Sequence, residues 1–132
     1  MKFNKTSHVD GTAKCGICVG RRGVHVAIFE IATADKAVLD RIEGLGKGYN
    51  EYSFQDSRFG RCFTYVADPF AIDDSLKPTD WYKEIVLLGC RSNNFPSEHI
   101  LAIESIDAIQ DPDERRSREH WMLVEELRNF RA

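Results

Sequence analysis

The sequence lacks a long apolar run and an excess of basic charge. No stretch of about 18 apolar residues occurs, so the sequence contains no candidate membrane-spanning helix. The opening residues, M-K-F-N-K-T, lack the apolar core of a secretory signal peptide, and a cytoplasmic protein is predicted by default. The formal net charge is −3, and acids alternate with bases along residues 113–119. This pattern is typical of a solvated helix face, so neither nucleic acid nor membrane is predicted as a partner.

Linkers, repeats and low-complexity segments are also absent from the sequence. The chain has 132 residues with only 4 prolines, and 42% of its residues are hydrophobic. That length is sufficient for one domain to bury a core of ordinary size. We therefore predict a single domain over residues 1–132.

The four cysteines include one C-x-x-C motif, formed by Cys15 and Cys18. This motif can form a redox pair or half of a zinc site. The surrounding residues are typical of a strand, in which side chains three apart point to opposite faces. No second motif with metal-ligand spacing follows, and the four histidines are scattered. Structural thiols are the favoured interpretation, and neither a metal nor a cofactor is predicted.

The first half of the sequence predicts strands. Residues 13–19 and 24–31 flank G-R-R-G, which is a strong hairpin signal. A short helix then begins near Thr33, with Val38, Leu39 and Ile42 forming its apolar stripe, and it ends at Gly44. Two further strands are predicted over residues 49–54 and 61–67.

The second half predicts helices. Thr79 can cap a helix over residues 80–90, and Pro96 precedes another over residues 97–106. A third helix begins at Asp111 and Pro112 and carries an apolar stripe that includes Val124, Leu127 and Phe130. Strands followed by helices predict an α+β fold, with a small mixed or antiparallel barrel-like sheet and helices around it.

Glu43 is the candidate acid–base residue. It falls at the carboxyl end of the short helix, where the helix dipole disfavours a negative charge. Burial next to apolar residues would raise its pKa further, towards a value suited to proton transfer. The local pattern alone is also compatible with a solvated glutamate in a helix-ending turn.

Several short motifs, taken in order, resemble the γ-glutamylcyclotransferase-like family. The most specific is L-D-R-I-E-G over residues 39–44, which follows V-H-V-A-I-F-E-I and precedes a glycine-bearing loop and Tyr49. Further along, C-F-T-Y-V resembles the family's tyrosine-bearing strand, and K-P-T-D-W-Y resembles the start of one of its helices. The resemblance covers roughly residues 1–106, and it implies a barrel-like α+β fold. The helix after residue 111 lies outside it.

The resemblance also implies a reaction and a set of site residues. Members of the family cyclise a γ-glutamyl amine or peptide to 5-oxoproline, without metal or cofactor. By resemblance, Glu43 would move the proton between the substrate's α-amine and the leaving nitrogen. Four further residues would bind substrate, with the two later tyrosines donating hydrogen bonds: Gly44, Tyr49, Tyr65 and Tyr82.

One departure from the family pattern separates two hypotheses. Family members open with a strand and a Y-G-S-N-type loop that holds the substrate, and the sequence given contains no such loop. Either the natural protein is longer, or the loop has been lost. In the first case we expect an enzyme; in the second we expect a non-catalytic binding domain. A strand edge left unpaired would favour a homodimer.

Overall fold

The computed structural model describes residues 1–18, 20 and 23–130. Their contacts divide the chain into two compact units, Met1–Leu76 and Lys77–Ala132. The single domain expected from the sequence stays a prediction. No helix among these residues is both long and apolar enough to cross a membrane.

The described residues of the first unit form two antiparallel hairpins and one α-helix. Strands β1 (Lys2–Thr6) and β2 (Ala13–Gly16) pair with each other, as do β3 (Tyr49–Asp56) and β4 (Gly60–Ala67). Helix α1 (Lys36–Glu43) lies between the hairpins in the chain, after a short 3-10 turn at Thr33–Asp35. The α+β class is therefore confirmed, whereas the described strands form two two-stranded sheets and close no barrel.

Side chains at both hairpin turns satisfy the turn backbone. Asp10 accepts hydrogen bonds from the Thr12 amide (3.0 Å) and the Lys14 ammonium (2.8 Å) in the first turn. Asp56 accepts from the amides of Arg58 (2.8 Å) and Phe59 (3.1 Å) in the second. Such bonds let Asp stabilise a turn locally, so each turn fixes the register of its hairpin.

The predicted strand over residues 24–31 does not form. Residues 24–31 have no regular secondary structure, so the predicted hairpin across G-R-R-G is wrong. Arg21 and Arg22 of that turn, and Val19 at the end of the strand predicted before it, lie outside the described residues. After β2 the chain pairs elsewhere, because the Ile17 carbonyl accepts a hydrogen bond from the Ala67 amide at 3.0 Å. A β-rich segment forms a strand only where a partner edge is available.

The predicted apolar stripe of α1 is wrong for two of its three residues. Val38 and Ile42 are 45% and 74% exposed. The partly buried face carries Lys36, Leu39, Asp40 and Glu43, at helical spacing of three and four residues. Polar contacts to β3 and β4 hold this face, so α1 presents charged side chains inward.

The second unit is helical, as predicted. It contains α2 (Asp80–Ser92), α3 (Ser97–Glu104) and α4 (Glu114–Asn129). Its buried apolar side chains include Trp81, Leu87, Ile103 and the fully buried Val124. Leu127 and Phe130 of the predicted α4 stripe are exposed, and single exposed apolar residues are common on protein surfaces.

Candidate active site

A cavity of about 260 Å³ lies within the first unit, at the end of α1. Its walls come from β2, from the segment after β2, from α1 and from the β3–β4 hairpin. The side chains relevant to chemistry are those of Cys15, His25, Glu43, Tyr49, Thr64 and Tyr65. Three residues predicted from the sequence to share a site, Glu43, Tyr49 and Tyr65, are therefore brought together here.

Glu43 is the last residue of α1, and Gly44 ends the helix behind it. Gly44 adopts φ 78° in the left-handed region, and the amides of Gly44 (3.1 Å) and Leu45 (2.9 Å) both bond to the Asp40 carbonyl. This termination favours glycine, because a Cβ is strained at that φ. Gly44 is buried and is not among the cavity-lining residues, so it supports Glu43 through the backbone.

Two opposing effects act on the carboxyl group of Glu43. Its partial burial raises its pKa above the usual value, while the positive charge of Lys5 lowers it. Burial is the larger effect, since loss of hydration disfavours the ionised form. The carboxyl group is therefore closer to the range in which it can both take and return a proton.

Lys5 is a buried cation behind the site. Only 3% of the residue is exposed, and its ammonium lies 4.6 Å from the centre of the Tyr49 ring, within cation–π range. Its aliphatic chain passes Gly48, where an added Cβ would lie only 3.0 Å from Cε of Lys5. Gly48 thus leaves space for Lys5, and Lys5 supplies the positive charge that reaches Glu43.

Tyr49 forms another wall of the cavity. Its hydroxyl donates a hydrogen bond to the Cys15 backbone carbonyl at 3.1 Å, which ties β3 to β2. Burial raises its pKa to about 12, and the nearby carboxylate of Glu43 acts in the same direction. The phenol is therefore neutral at physiological pH.

Tyr65 belongs to a polar network between α1 and the hairpin. Its hydroxyl donates to Oδ1 of Asp40 at 2.5 Å, and Lys36 pairs with the same carboxylate. Lys36 also reaches Glu51 at 2.7 Å, across the β3–β4 pair in which Glu51 faces Tyr65. Burial and the Asp40 bond raise the pKa of Tyr65 to about 12. The network holds α1 against the hairpin one turn before Glu43.

Tyr82 lies on α2 in the second unit, where its ring packs edge-on against Trp81 at 5.9 Å between centroids. Its predicted part in substrate binding stays a prediction. Cys15 is partly buried beside the cavity and Cys18 is exposed. Among the described residues, no three His, Cys, Asp or Glu side chains form a group that could hold a metal ion.

Sequence reasoning missed Lys5, Lys36 and Asp40. A signal for two of them was present, because Lys36, Asp40 and Glu43 recur every three or four residues along one helix face. Lys5 carried no such signal, since its approach to Glu43 depends on how β1 packs.

Comparison with known proteins gives no match: no family model, no curated protein and no solved structure is similar to the chain. The resemblance to the γ-glutamylcyclotransferase-like family accordingly stays a prediction.

Proposed function

We propose that the cavity at Glu43 is an acid–base site that cyclises a γ-glutamyl amine or peptide to 5-oxoproline. The observation that supports this proposal is the partly buried Glu43 carboxyl group, which faces a small cavity shared with Tyr49 and Tyr65. The proposal also uses the ordered motifs of residues 1–106, above all L-D-R-I-E-G. In this view the first unit is an open variant of the family's barrel.

The proposed reaction needs one proton carrier. Glu43 takes a proton from the substrate's α-ammonium, and the freed amine attacks the γ-carbonyl carbon. A carbon–nitrogen bond forms within the new ring, and the bond to the leaving nitrogen breaks as Glu43 returns the proton to it. The surplus proton that attack leaves on the ring nitrogen then passes through the same carboxylate to the released amine, which departs as an ammonium ion. Because the attack is intramolecular, the protein contributes mainly by holding the substrate folded. A carboxyl group with a raised pKa suits both proton transfers.

A panel of γ-glutamyl amines and peptides tests the proposal through release of 5-oxoproline. We expect turnover of at least one compound and none of its N-acetyl counterpart, whose acylated amine cannot attack the γ-carbonyl. Chromatographic separation of 5-oxoproline from substrate gives the measurement. A folded chain that turns over no compound in the panel would remove the proposed activity.

Lys5→Met is expected to shift the acidic limb of the pH–rate profile to higher pH. The ionised form of Glu43 is needed to take the first proton, so the rate rises as pH passes through its pKa. Lys5 lowers that pKa, and removing its charge therefore raises it. Profiles of kcat/KM against pH give the measurement, with Lys47→Met as the control because Lys47 is exposed. An unshifted limb in Lys5→Met would contradict the role of Lys5.

A non-catalytic, self-associating domain is the alternative, and one observation favours it. Phe29 and Ile42 are 73% and 74% exposed in the first unit, where the segment 24–31 has no strand partner. Exposed apolar side chains of this size are typical of interaction surfaces when they cluster. Absence of turnover together with a dimer mass by light scattering would favour this alternative.

A further inference from the structure

A second cavity, of about 360 Å³, lies in the second unit and shares no residue with the site at Glu43. The start of α2 and the first two turns of α4 line it, and its lining includes Asp80, Asp111, Glu114, Ser117, Arg118 and Trp121. The four lining residues from α4 recur at helical spacing, so one face of that helix forms a wall. A volume of this size suits a small molecule, since such sites measure about 300–1,000 Å³.

Two opposite charges on α4 line this cavity without pairing to each other. Glu114 and Arg118 are four residues apart with the glutamate first, the order in which such helical pairs are most favourable. Arg115 and Glu119 have the less favourable order and do pair, at 2.8 Å. Among the described residues, the side chains of Glu114 and Arg118 have no hydrogen-bond or ion-pair partner. One carboxylate and one guanidinium are therefore available to a ligand, a single helical turn apart.

The other walls add a second carboxylate and an aromatic surface. Asp80 accepts a hydrogen bond from the Trp81 amide through Oδ1 at 2.7 Å, and within the described chain its Oδ2 has no such bond. Asp111 is fully buried and already accepts four hydrogen bonds, so it offers a ligand no further acceptor. Trp121 is partly buried, and an indole face attracts ammonium and guanidinium groups.

These charges define a class of ligand. Asp80 and Glu114 contribute two negative charges and Arg118 one positive charge, while Arg116 balances Asp111. A ligand that matches the three unbalanced charges carries two cationic groups and one carboxylate. An aliphatic diamine would leave Arg118 without a counter-charge, and a neutral zwitterion would leave one carboxylate without one. A free basic amino acid carries the complete set.

We propose that this cavity binds a free basic amino acid. The α-carboxylate binds Arg118 and the α-ammonium binds Glu114, because these two side chains lie one turn apart on the same helix face. The side-chain cation binds Asp80 and lies against the indole of Trp121. The site belongs wholly to the second unit, so the inference is independent of the proposed activity at Glu43.

An NMR titration of the Trp121 indole N–H with three probes tests this inference. L-Arginine carries all three charged groups, agmatine lacks the carboxylate, and L-citrulline lacks the side-chain cation. We expect saturable binding of L-arginine, about tenfold tighter than that of either other probe, the scale of one charge-assisted hydrogen bond. Non-specific attraction to a chain of net charge −3 would instead rank agmatine first, because it carries the larger positive charge. The chain has 2 tryptophans, so Trp121→Phe assigns the resonance.

Two substitutions separate the anchoring groups. Arg118→Gln should remove the preference for L-arginine over agmatine and keep the preference over L-citrulline. Asp80→Asn should do the reverse, and its amide oxygen can still accept the bond from the Trp81 amide. The matched control is Arg115→Gln, because Arg115 lies on α4 with its side chain 86% exposed and outside the cavity lining. It should leave all three affinities unchanged.

Three results would overturn the inference. The first is a Trp121 indole resonance that shows no saturable shift with L-arginine. The second is agmatine binding the wild type as tightly as L-arginine does. The third is an equal effect of Arg118→Gln and Arg115→Gln on the affinity for L-arginine.

Discussion

Replacing Glu43 by Gln is expected to lower the rate of 5-oxoproline release by about 10²–10⁴-fold, the usual contribution of a general acid–base group. Gln keeps the size and hydrogen-bonding shape of the side chain but can neither take nor return a proton. The remaining rate would come from holding the substrate in a folded conformation, which the substitution leaves intact. The measurement is kcat for the best compound of the panel.

The free energy of unfolding of Glu43→Gln shows whether a lower rate comes from lost proton transfer or from a damaged fold. Burial raises the pKa of Glu43 in the folded state. Between its pKa in the unfolded chain and its higher pKa in the folded protein, the folded protein therefore binds more protons than the unfolded chain. Ionised Glu43 therefore destabilises the fold above its pKa, and the stability present at lower pH is lost there. Glu43→Gln should consequently be at least as stable as the wild type at neutral pH, when urea denaturation is followed by circular dichroism.

The control for Glu43→Gln is Glu30→Gln, because Glu30 is an exposed glutamate of the same unit. It should leave both rate and stability unchanged. Equal rates in Glu43→Gln and wild type would exclude Glu43 as the proton carrier. If Glu43→Gln is less stable than the wild type at neutral pH, the ionised carboxylate stabilises the fold, which would contradict the destabilisation expected from its burial.

Local signals account for the elements that could be predicted. The end of α1 at Gly44, the β3–β4 hairpin and the three helices of the second unit all depend on turn residues and helical spacing close in sequence. The strand predicted over residues 24–31 was expected to pair with residues 13–19 across G-R-R-G, but that neighbour pairs with a distant part of the chain instead. The Ala67 amide bonds to Ile17, and that non-local pairing is not readable from the β-rich composition of the segment.

The same distinction holds within the candidate site. Glu43 was predicted from its place at the end of α1, and Tyr49 from the resemblance of the segment that follows to the γ-glutamylcyclotransferase-like family. The inward face of α1 was assigned incorrectly, since apolar residues were expected to face the core and charged ones the solvent. That rule fails where hydrogen bonds and ion pairs satisfy inward-facing charges, as they do among Lys36, Asp40 and Tyr65. Such polar networks occur mainly where the positions of particular side chains matter.

Asp111→Ala is expected to destabilise the second unit by about 3 kcal/mol, because it removes a fully buried carboxylate that pairs with the partly exposed Arg116 and accepts from the buried Trp81. The Asp111 side chain is fully buried, and its two oxygens accept four hydrogen bonds. Arg116 supplies two of them, at 2.7 and 2.5 Å. The indole of Trp81 (2.9 Å) and the Asp113 amide (3.0 Å) supply the others. Alanine would remove the acceptor of all four bonds.

Acid should weaken the second unit through the same residue. Hydrogen bonds from Arg116, helped by Trp81 and the Asp113 amide, lower the pKa of Asp111 to about 2 against the opposing effect of burial. An Asp with a depressed pKa contributes stability that is complete above its unfolded value of about 4 and is lost as pH falls towards 2. Asp111→Ala should therefore flatten the dependence of stability on pH between these values.

Tryptophan fluorescence during urea denaturation measures the stability of the second unit, both for Asp111→Ala and as a function of pH. The chain has 2 tryptophans, Trp81 and Trp121, and both lie in the second unit. The matched control is Asp107→Ala, because Asp107 is 80% exposed and its pair with Lys77 lies at the surface, where such pairs contribute at most about 1 kcal/mol. Equal destabilisation by Asp111→Ala and Asp107→Ala would contradict the stabilising role of the buried Asp111 carboxylate. A larger loss in Asp111→Ala that vanishes near pH 2 would show that the ionised carboxylate joins the start of α4 to Trp81 of α2.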